Sequence, residues 1–341
     1  MDPPRALSRP PRQKLPPTMK PLYISAEEVV RYLPMERCIA LMEEAFTSLV
    51  SGKALQPLRS IMWLPEKTGG LGMMPAHSSD KNMIGIKVIS VFPDNKKYGY
   101  SSHQGVVLLF ESTHGQLLAI IDADAITAIR TAAVSGLATK LLARDVSSTL
   151  ALLGSGTQAA QHVEAMFCAG KISAIKIWSR DYSNAEALAR ATSKKHNVSA
   201  IAVKDSREAV IDADLICTTT ASATPVVLGE WIKKGAHINA VGACIPSARE
   251  FDTSAVLNSK LYTDRYESLF REAGDFVIPR KEGALTDDHV KGELGEVLVG
   301  SKKGRETESE ITFFKSLGIA IEDIYAAEHV YRAATQGKAS E

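Results

Sequence analysis

Thr149-Leu150-Ala151-Leu152-Leu153-Gly154-Ser155-Gly156-Thr157-Gln158-Ala159 decides the fold of this 341-residue chain. An apolar run of strand length ends in G-x-G-x-x-A, and Val163, Met166 and Phe167 then recur at helical spacing before Gly170. Gly154 permits a tight turn, Gly156 lets the backbone approach a pyrophosphate, and Ala159 is small enough for helix and strand to pack closely. Ser155, Thr157 and Gln158 complete a helix start whose N–H groups face phosphates.

Downstream the rhythm stays strand, helix, strand. Ile175 to Trp178, Ala200 to Val203, Leu215 to Thr219, His237 to Val241 and Lys260 to Thr263 read as further strands, which predicts a doubly wound parallel sheet of Rossmann type over residues 131–316. The second strand runs into Ser179-Arg180-Asp181. Where an NAD site ends this strand in an acid, Arg180 offers a planar fork and Ser179 a hydroxyl for a 2′-phosphate, so NADPH is the expected cofactor; Asp181, one residue on, keeps NADH open.

Upstream the texture changes. Ser25 with Glu28 forms a capping-box pattern opening a helical stretch from Ser25 to Ser51. Leu58 to Leu64, Ile84 to Phe92, Gly105 to Phe110 and Leu117 to Ile121 are β-rich, the last two joined by a turn at Ser112-Thr113-His114-Gly115. Leu317, Ile321, Ile324 and Tyr331 share one helical face, so the C-terminal segment 317–337 is expected to return to residues 19–130. The expected fold class is therefore α/β: a Rossmann domain plus a discontinuous, β-rich α+β domain. Residues 1–18, with six prolines and four cations, should form a disordered leader, with a targeting segment as the alternative to a cytoplasmic location.

Lys+Arg number 40 against 39 Asp+Glu, which argues against a protein that neutralises many nucleic-acid phosphates. The most apolar stretch, Leu117 to Ile121, is far shorter than the ~20 residues that cross a bilayer. The four cysteines stand singly, so neither a metal site nor a disulfide framework is expected.

Three cations occupy apolar surroundings: Arg59 in PLRSI, Lys87 in IGIKV and Arg130 in TAIRTAA. A charge between apolar neighbours is costly unless paired. Either these residues face outward from alternating strands, or they form a pocket for a small carboxylate.

The chain resembles the ornithine cyclodeaminase/mu-crystallin family, most closely its ketimine reductases, from about Met19 to Tyr331. The resemblance rests on Gly85-Ile86-Lys87, Ser102-His103-Gln104, Thr127 to Ala133, Gly154 to Ala159, Ile238 to Ala243, Gly292 to Val297 and Phe314 to Gly318. It implies a homodimer built through the β-rich domain. It further implies that Arg59 and Lys87 hold a substrate carboxylate, that Arg130 lies between substrate and cofactor, and that Ser102 and His103 approach the nicotinamide. Cys217, Thr218 and Val241 would line the cofactor cleft, and Glu272 would be a polar group of the pocket. An exposed carboxylate for Glu272 and a buried structural histidine for His103 are the alternatives.

Two positions depart from the family pattern. Cys244 follows Gly242-Ala243 where cyclodeaminases carry an aspartate, and a neutral thiol neither pairs with an ammonium nor acts as a strong base at neutral pH. Gly105 follows Gln104 where relatives often carry a hydroxyl. The implied activity is reduction of cyclic imines bearing an α-carboxylate. Reductive amination of 2-oxo acids, cyclodeamination of ornithine, and a role as a thyroid-hormone carrier or structural crystallin are the competing readings.

Overall fold

The computed structural model describes residues 20–338; the proline-rich leader lies outside the described residues. The capping box at Ser25 is present, with Ser25 N–H donating to Glu28 and Glu28 N–H to Ser25 Oγ. The helical stretch it opens is two helices, Ala26–Tyr32 and Met35–Val50. Pro34 divides them because it lacks an N–H and disfavours helical backbone in the residue before it.

The first sheet contains β1 (Leu22–Ile24), β2 (Ala54–Leu55), β3 (Ser60–Trp63), β4 (Gly70–Ser78), β5 (Met83–Val91), β6 (His103–Glu111) and β7 (Leu117–Asp122). Its order is β1-β7-β6-β5-β4-β2 with β3 also on β4, and only β1 and β7 pair in parallel. β4 was not among the strands expected from sequence. Its glycines, methionines and proline have low strand propensity, yet buried and partly buried residues alternate along its length, because pairing with β5 and the core beneath override local preference. Gly105 also has its reason here: a Cβ at this position would lie 2.1 Å from the Val88 carbonyl oxygen, so no hydroxyl-bearing side chain fits.

The second sheet holds β8 (Thr149–Leu153), β9 (Ala174–Trp178), β10 (Ser199–Val203), β11 (Leu215–Thr218), β12 (His237–Ala240), β13 (Lys260–Thr263), β14 (Val290–Glu293) and β15 (Thr312–Lys315). All pairs are parallel, in the order β10-β9-β8-β11-β12-β15-β13-β14. The chain reverses its direction of travel between β8 and β11, and ligands of open α/β sheets bind at such a switch point, beyond the carboxyl ends of the strands.

The expected domain boundary at residues 130/131 falls within one continuous helix, Ala123–Leu142. Ile126, Ile129, Val134 and Leu142 pack in the core of the first domain with Phe46 and Leu109, and with Ile324 and Val330 of the returning helix Ala320–Lys338. Ala123–Leu142 is long and apolar enough by composition to cross a membrane, but 78% of its most apolar window is buried inside the protein and it carries Arg130. It is the core helix that connects the two sheets.

Candidate active site

Lys87 stands mid-way along β5 and is 2% exposed, which excludes the outward-facing alternative. Its Nζ lies 3.1 Å from Asp323 Oδ1, 2.9 Å from Asp323 Oδ2 and 3.3 Å from Thr127 Oγ1. Arg130 is 4% exposed and donates through Nε to Asp323 Oδ1 at 2.9 Å and through Nη1 to Glu322 Oε2 at 2.8 Å. Two cations and two carboxylates thus form one buried cluster, the arrangement in which buried charge is tolerable. Burial and the Arg130 guanidinium push Lys87 down to about 8, against the pull of Asp323 and Glu322. Burial, with Asp264 and Asp323 adding to it, pushes Glu322 up to about 8 against the pull of Arg130. Among the described residues Glu322 Oε1 has no hydrogen-bond partner.

Thr127 ties this cluster to the dinucleotide turn. Its hydroxyl accepts from Lys87, and its carbonyl accepts from Gln158 Nε2 at 3.4 Å. In the turn, Gly154 has φ +122°, and a Cβ there would stand 2.5 Å from Thr219 Oγ1 across the β8–β11 switch point. Gly156 faces open space and caps the helix Thr157–Ala169 with no side-chain hydrogen bond, so the first N–H groups are available to an anion. Ser155 Oγ donates to Ser179 Oγ at 2.8 Å, joining the turn to the end of β9. Arg180 is exposed, and among the described residues no hydrogen bond or ion pair holds its guanidinium. Asp181 instead caps the helix Tyr182–His196, accepting from Ser183 N–H and Oγ. The glycine cradle and free helix start fit a dinucleotide.

The model of the ornithine cyclodeaminase/mu-crystallin family matches residues 19–338. The chain belongs to that family. Ketimine reductase mu-crystallin of Mus musculus is 37% identical over 326 residues, covering 93% of this chain and 99% of that one. Delta(1)-pyrroline-2-carboxylate reductase of Bacillus cereus (strain ZK / E33L) is 35% identical over 316 residues, covering 92% and 97%. A solved structure of Thermococcus litoralis Delta(1)-pyrroline-2-carboxylate reductase, in complex with NADH and L-proline, matches with a TM-score of 0.91 at 38% identity, over 93% of this chain and 98% of that chain.

Against the family pattern, several residues stand differently from expectation. Arg59 and Lys87 are not free cations: Lys87 is paired with Asp323, and Arg59 donates through Nε and Nη2 to both oxygens of Glu272, at 2.9 and 2.5 Å. Glu272, at the end of the helix Tyr266–Glu272, is therefore a paired, partly buried residue rather than an exposed carboxylate. Cys217 and Thr218 are fully buried in β11; the Cys217 thiol lies against Asn239, and Thr218 Oγ1 donates to Glu250. Glu250 also accepts from Thr220 N–H and Oγ1 and from Gly242 N–H, so this one carboxylate clamps the loops that leave β11 and β12. Thr219 and Thr220, one and two residues further on, are partly exposed. Val241 is 7% exposed and donates to the Thr218 carbonyl.

His103 is exposed at the start of β6, with Nδ1 3.0 Å from Ser102 Oγ, so it is not a buried histidine. Cys244 donates to the Val241 carbonyl at 3.2 Å. Burial holds its thiol above the ordinary range although Lys315 and Arg59 oppose this, and a thiol so placed is no nucleophile. Among the described residues no group of His, Cys, Asp and Glu forms a metal site. Glu322 and Asp323 were not legible as site residues: two acids at a helix start read as ordinary complements of the helix dipole, and their partner Arg130 lies 193 residues from Asp323 in sequence.

Proposed function

We propose that this family member reduces cyclic imines bearing an α-carboxylate, Δ1-pyrroline-2-carboxylate and Δ1-piperideine-2-carboxylate, to L-proline and L-pipecolate, with NADPH as reductant. The coarser statement, a nicotinamide-dependent oxidoreductase of this family, follows from the relatives and the dinucleotide turn. The carrying observation is the junction at Thr127, where a buried ammonium and the first turn of the dinucleotide helix meet on one residue.

A reduced nicotinamide, when bound, would supply hydride to the carbon of a protonated C=N bond, whose positive nitrogen favours that transfer. The chain's own residues do the rest. With Glu322 carrying its proton below about pH 8, Lys87, Arg130 and Asp323 leave the cluster positively charged at neutral pH, which suits a small anion. Arg59, its guanidinium shared with or yielded by Glu272, grips the carboxylate and so fixes the ring carbon. Two of the three Nζ donors of Lys87 are engaged by Asp323 and Thr127, and the third supplies the proton that the ring nitrogen needs. A group titrating near 8 is matched to that task at neutral pH.

NADPH rather than NADH is favoured by the unpaired Arg180 and by the engagement of Asp181 as a helix cap. Cyclodeamination is disfavoured by Cys244, whose thiol cannot stand in for a carboxylate. A homodimer is supported by β3, all of whose residues are exposed, with Ile61, Met62 and Trp63 an apolar sequence on a sheet edge that a second copy would cover.

The test is oxidation of NADPH by purified protein with each cyclic imine, beside pyruvate plus ammonia. The expected result is turnover with at least one imine well above that with the 2-oxo acid. Equal or greater activity on pyruvate and ammonia would transfer the assignment to reductive amination, and tight binding without turnover would transfer it to a carrier.

A further inference from the structure

We propose that Asp323 is the positioning residue of this reaction: by accepting from Lys87 Nζ and Arg130 Nε on one carboxylate, it fixes the ammonium's remaining N–H against the guanidinium's outer edge. The inference rests on the reductive reading above. Neither cation is held by its own neighbourhood in sequence. Lys87 comes from β5 and Arg130 from the helix Ala123–Leu142, while Asp323 arrives from the first turn of the helix Ala320–Lys338 at the far end of the chain. Asp323 Oδ1 is shared, at 3.1 Å from Lys87 Nζ and 2.9 Å from Arg130 Nε, and the residue is wholly buried. Glu322 takes one N–H of Nη1 of the same guanidinium, so three of the five Arg130 N–H groups, one on Nη1 and two on Nη2, remain for other partners. The helix start is itself located by Asp264, which accepts from the N–H groups of Leu317 and Gly318 at 2.6 and 2.7 Å.

The arrangement has an electrical consequence. Removing the Asp323 charge takes away a group that holds the Lys87 proton, so the ammonium would titrate lower. The other charged or titratable groups facing the cluster are Arg130 and Asp124 from the connecting helix, His103 from β6, Asp264 from the loop after β13, Glu322, and Arg37 and Cys38 from the helix Met35–Val50. All of these remain in a variant at 323, so a shift would be assignable to Asp323. The substrate's own proton equilibrium is common to every variant and cancels in the comparison.

The experiment compares wild type with Asp323→Asn and Asp323→Glu, following kcat/KM for Δ1-pyrroline-2-carboxylate from pH 6 to 10 and NADPH binding by fluorescence. Asp323→Asn should lose at least 100-fold in kcat with the alkaline limb moved to lower pH, while the Kd for NADPH stays within threefold. A loss equal at every pH with an unmoved limb, or retention of more than half the activity, overturns the proposal. Should Asp323→Asn not fold, Asp323→Glu decides: it keeps the charge but displaces it by a methylene, so the limb should stay and kcat fall, and wild-type kcat would contradict the positioning role. Should wild type reduce no cyclic imine, the functional reading fails separately. Melting curves then test the positioning: the Tm deficit of Asp323→Asn should shrink as pH rises through 8, and a pH-independent deficit would overturn the role.

Discussion

Arg59 and Glu272, 213 residues apart, form a two-pronged ion pair between the loop before β3 and the end of the helix Tyr266–Glu272. The guanidinium expected to grip substrate already holds an internal carboxylate, with both side chains 19% exposed. A ligand carboxylate must therefore share or displace Glu272. Glu272→Gln should tighten binding of a plain cyclic carboxylate such as pyrrole-2-carboxylate by about fivefold, the equivalent of ~1 kcal/mol. Arg59→Ala should weaken it by at least ~30-fold, since an anion loses its charge-assisted donors. Titration calorimetry reads both, and weaker binding in Glu272→Gln would mean that Glu272 itself holds the ligand.

The two groups near pH 8 make opposite contributions to stability. Glu322 has a folded pKa raised from 4.5 to about 8, so its contribution is full below the unfolded value and is lost as pH rises from 4.5 through 8. Lys87 is lowered from 10.5 to about 8, so its charge penalises the fold below 8 and is relieved between 8 and 10.5. Relative to wild type, Glu322→Gln should lack the decline between pH 5 and 8, and Lys87→Met the recovery above 8. Melting temperatures across this range check both; parallel curves for all three proteins would contradict the assigned shifts.

Arg180→Ala should raise the KM for NADPH about tenfold, the value of a charge-assisted contact of ~1.4 kcal/mol at an exposed site, and change that for NADH by less than twofold. Steady-state kinetics with both nucleotides is the measurement, and equal effects on the two would remove Arg180 from the 2′-phosphate site.

Gly154 and Gly156 should separate folding from binding. An alanine at 154 combines φ +122° with a 2.5 Å approach to Thr219 Oγ1, whereas one at 156 meets nothing within 4 Å. Gly154→Ala should lower both the melting temperature and the NADPH affinity. Gly156→Ala should melt like wild type yet bind NADPH at least ~10-fold more weakly, because its Cβ occupies space a pyrophosphate needs.

The dinucleotide half was legible because its chemistry is local: Gly154 to Ala159 and Ser179-Arg180 act within a few residues of the strands that carry them. The parallel strands through β13 stand where their apolar runs lie. β4 was hidden by glycines and a proline that only sheet pairing makes extended, and Pro34 split a helix whose apolar spacing reads as continuous. In the pocket, the cations Arg59, Lys87 and Arg130 could be picked out as charges in apolar surroundings. Their partners Glu272, Asp323 and Glu322 could not be paired with them, since each lies about 190 or more residues away and tertiary contact alone brings them together. Cys217 and Thr218 read from sequence as the end of an apolar strand, and the structure buries both while leaving Thr219 and Thr220 partly exposed.

Transfer of the label from NADPH carrying deuterium at both C4 positions to the ring of the product tests the central claim most directly. Incubated with Δ1-pyrroline-2-carboxylate, the protein should yield proline one mass unit heavier, the deuterium sitting at C2. Proline of unchanged mass, or no proline at all while Δ1-piperideine-2-carboxylate is also left intact, would contradict it.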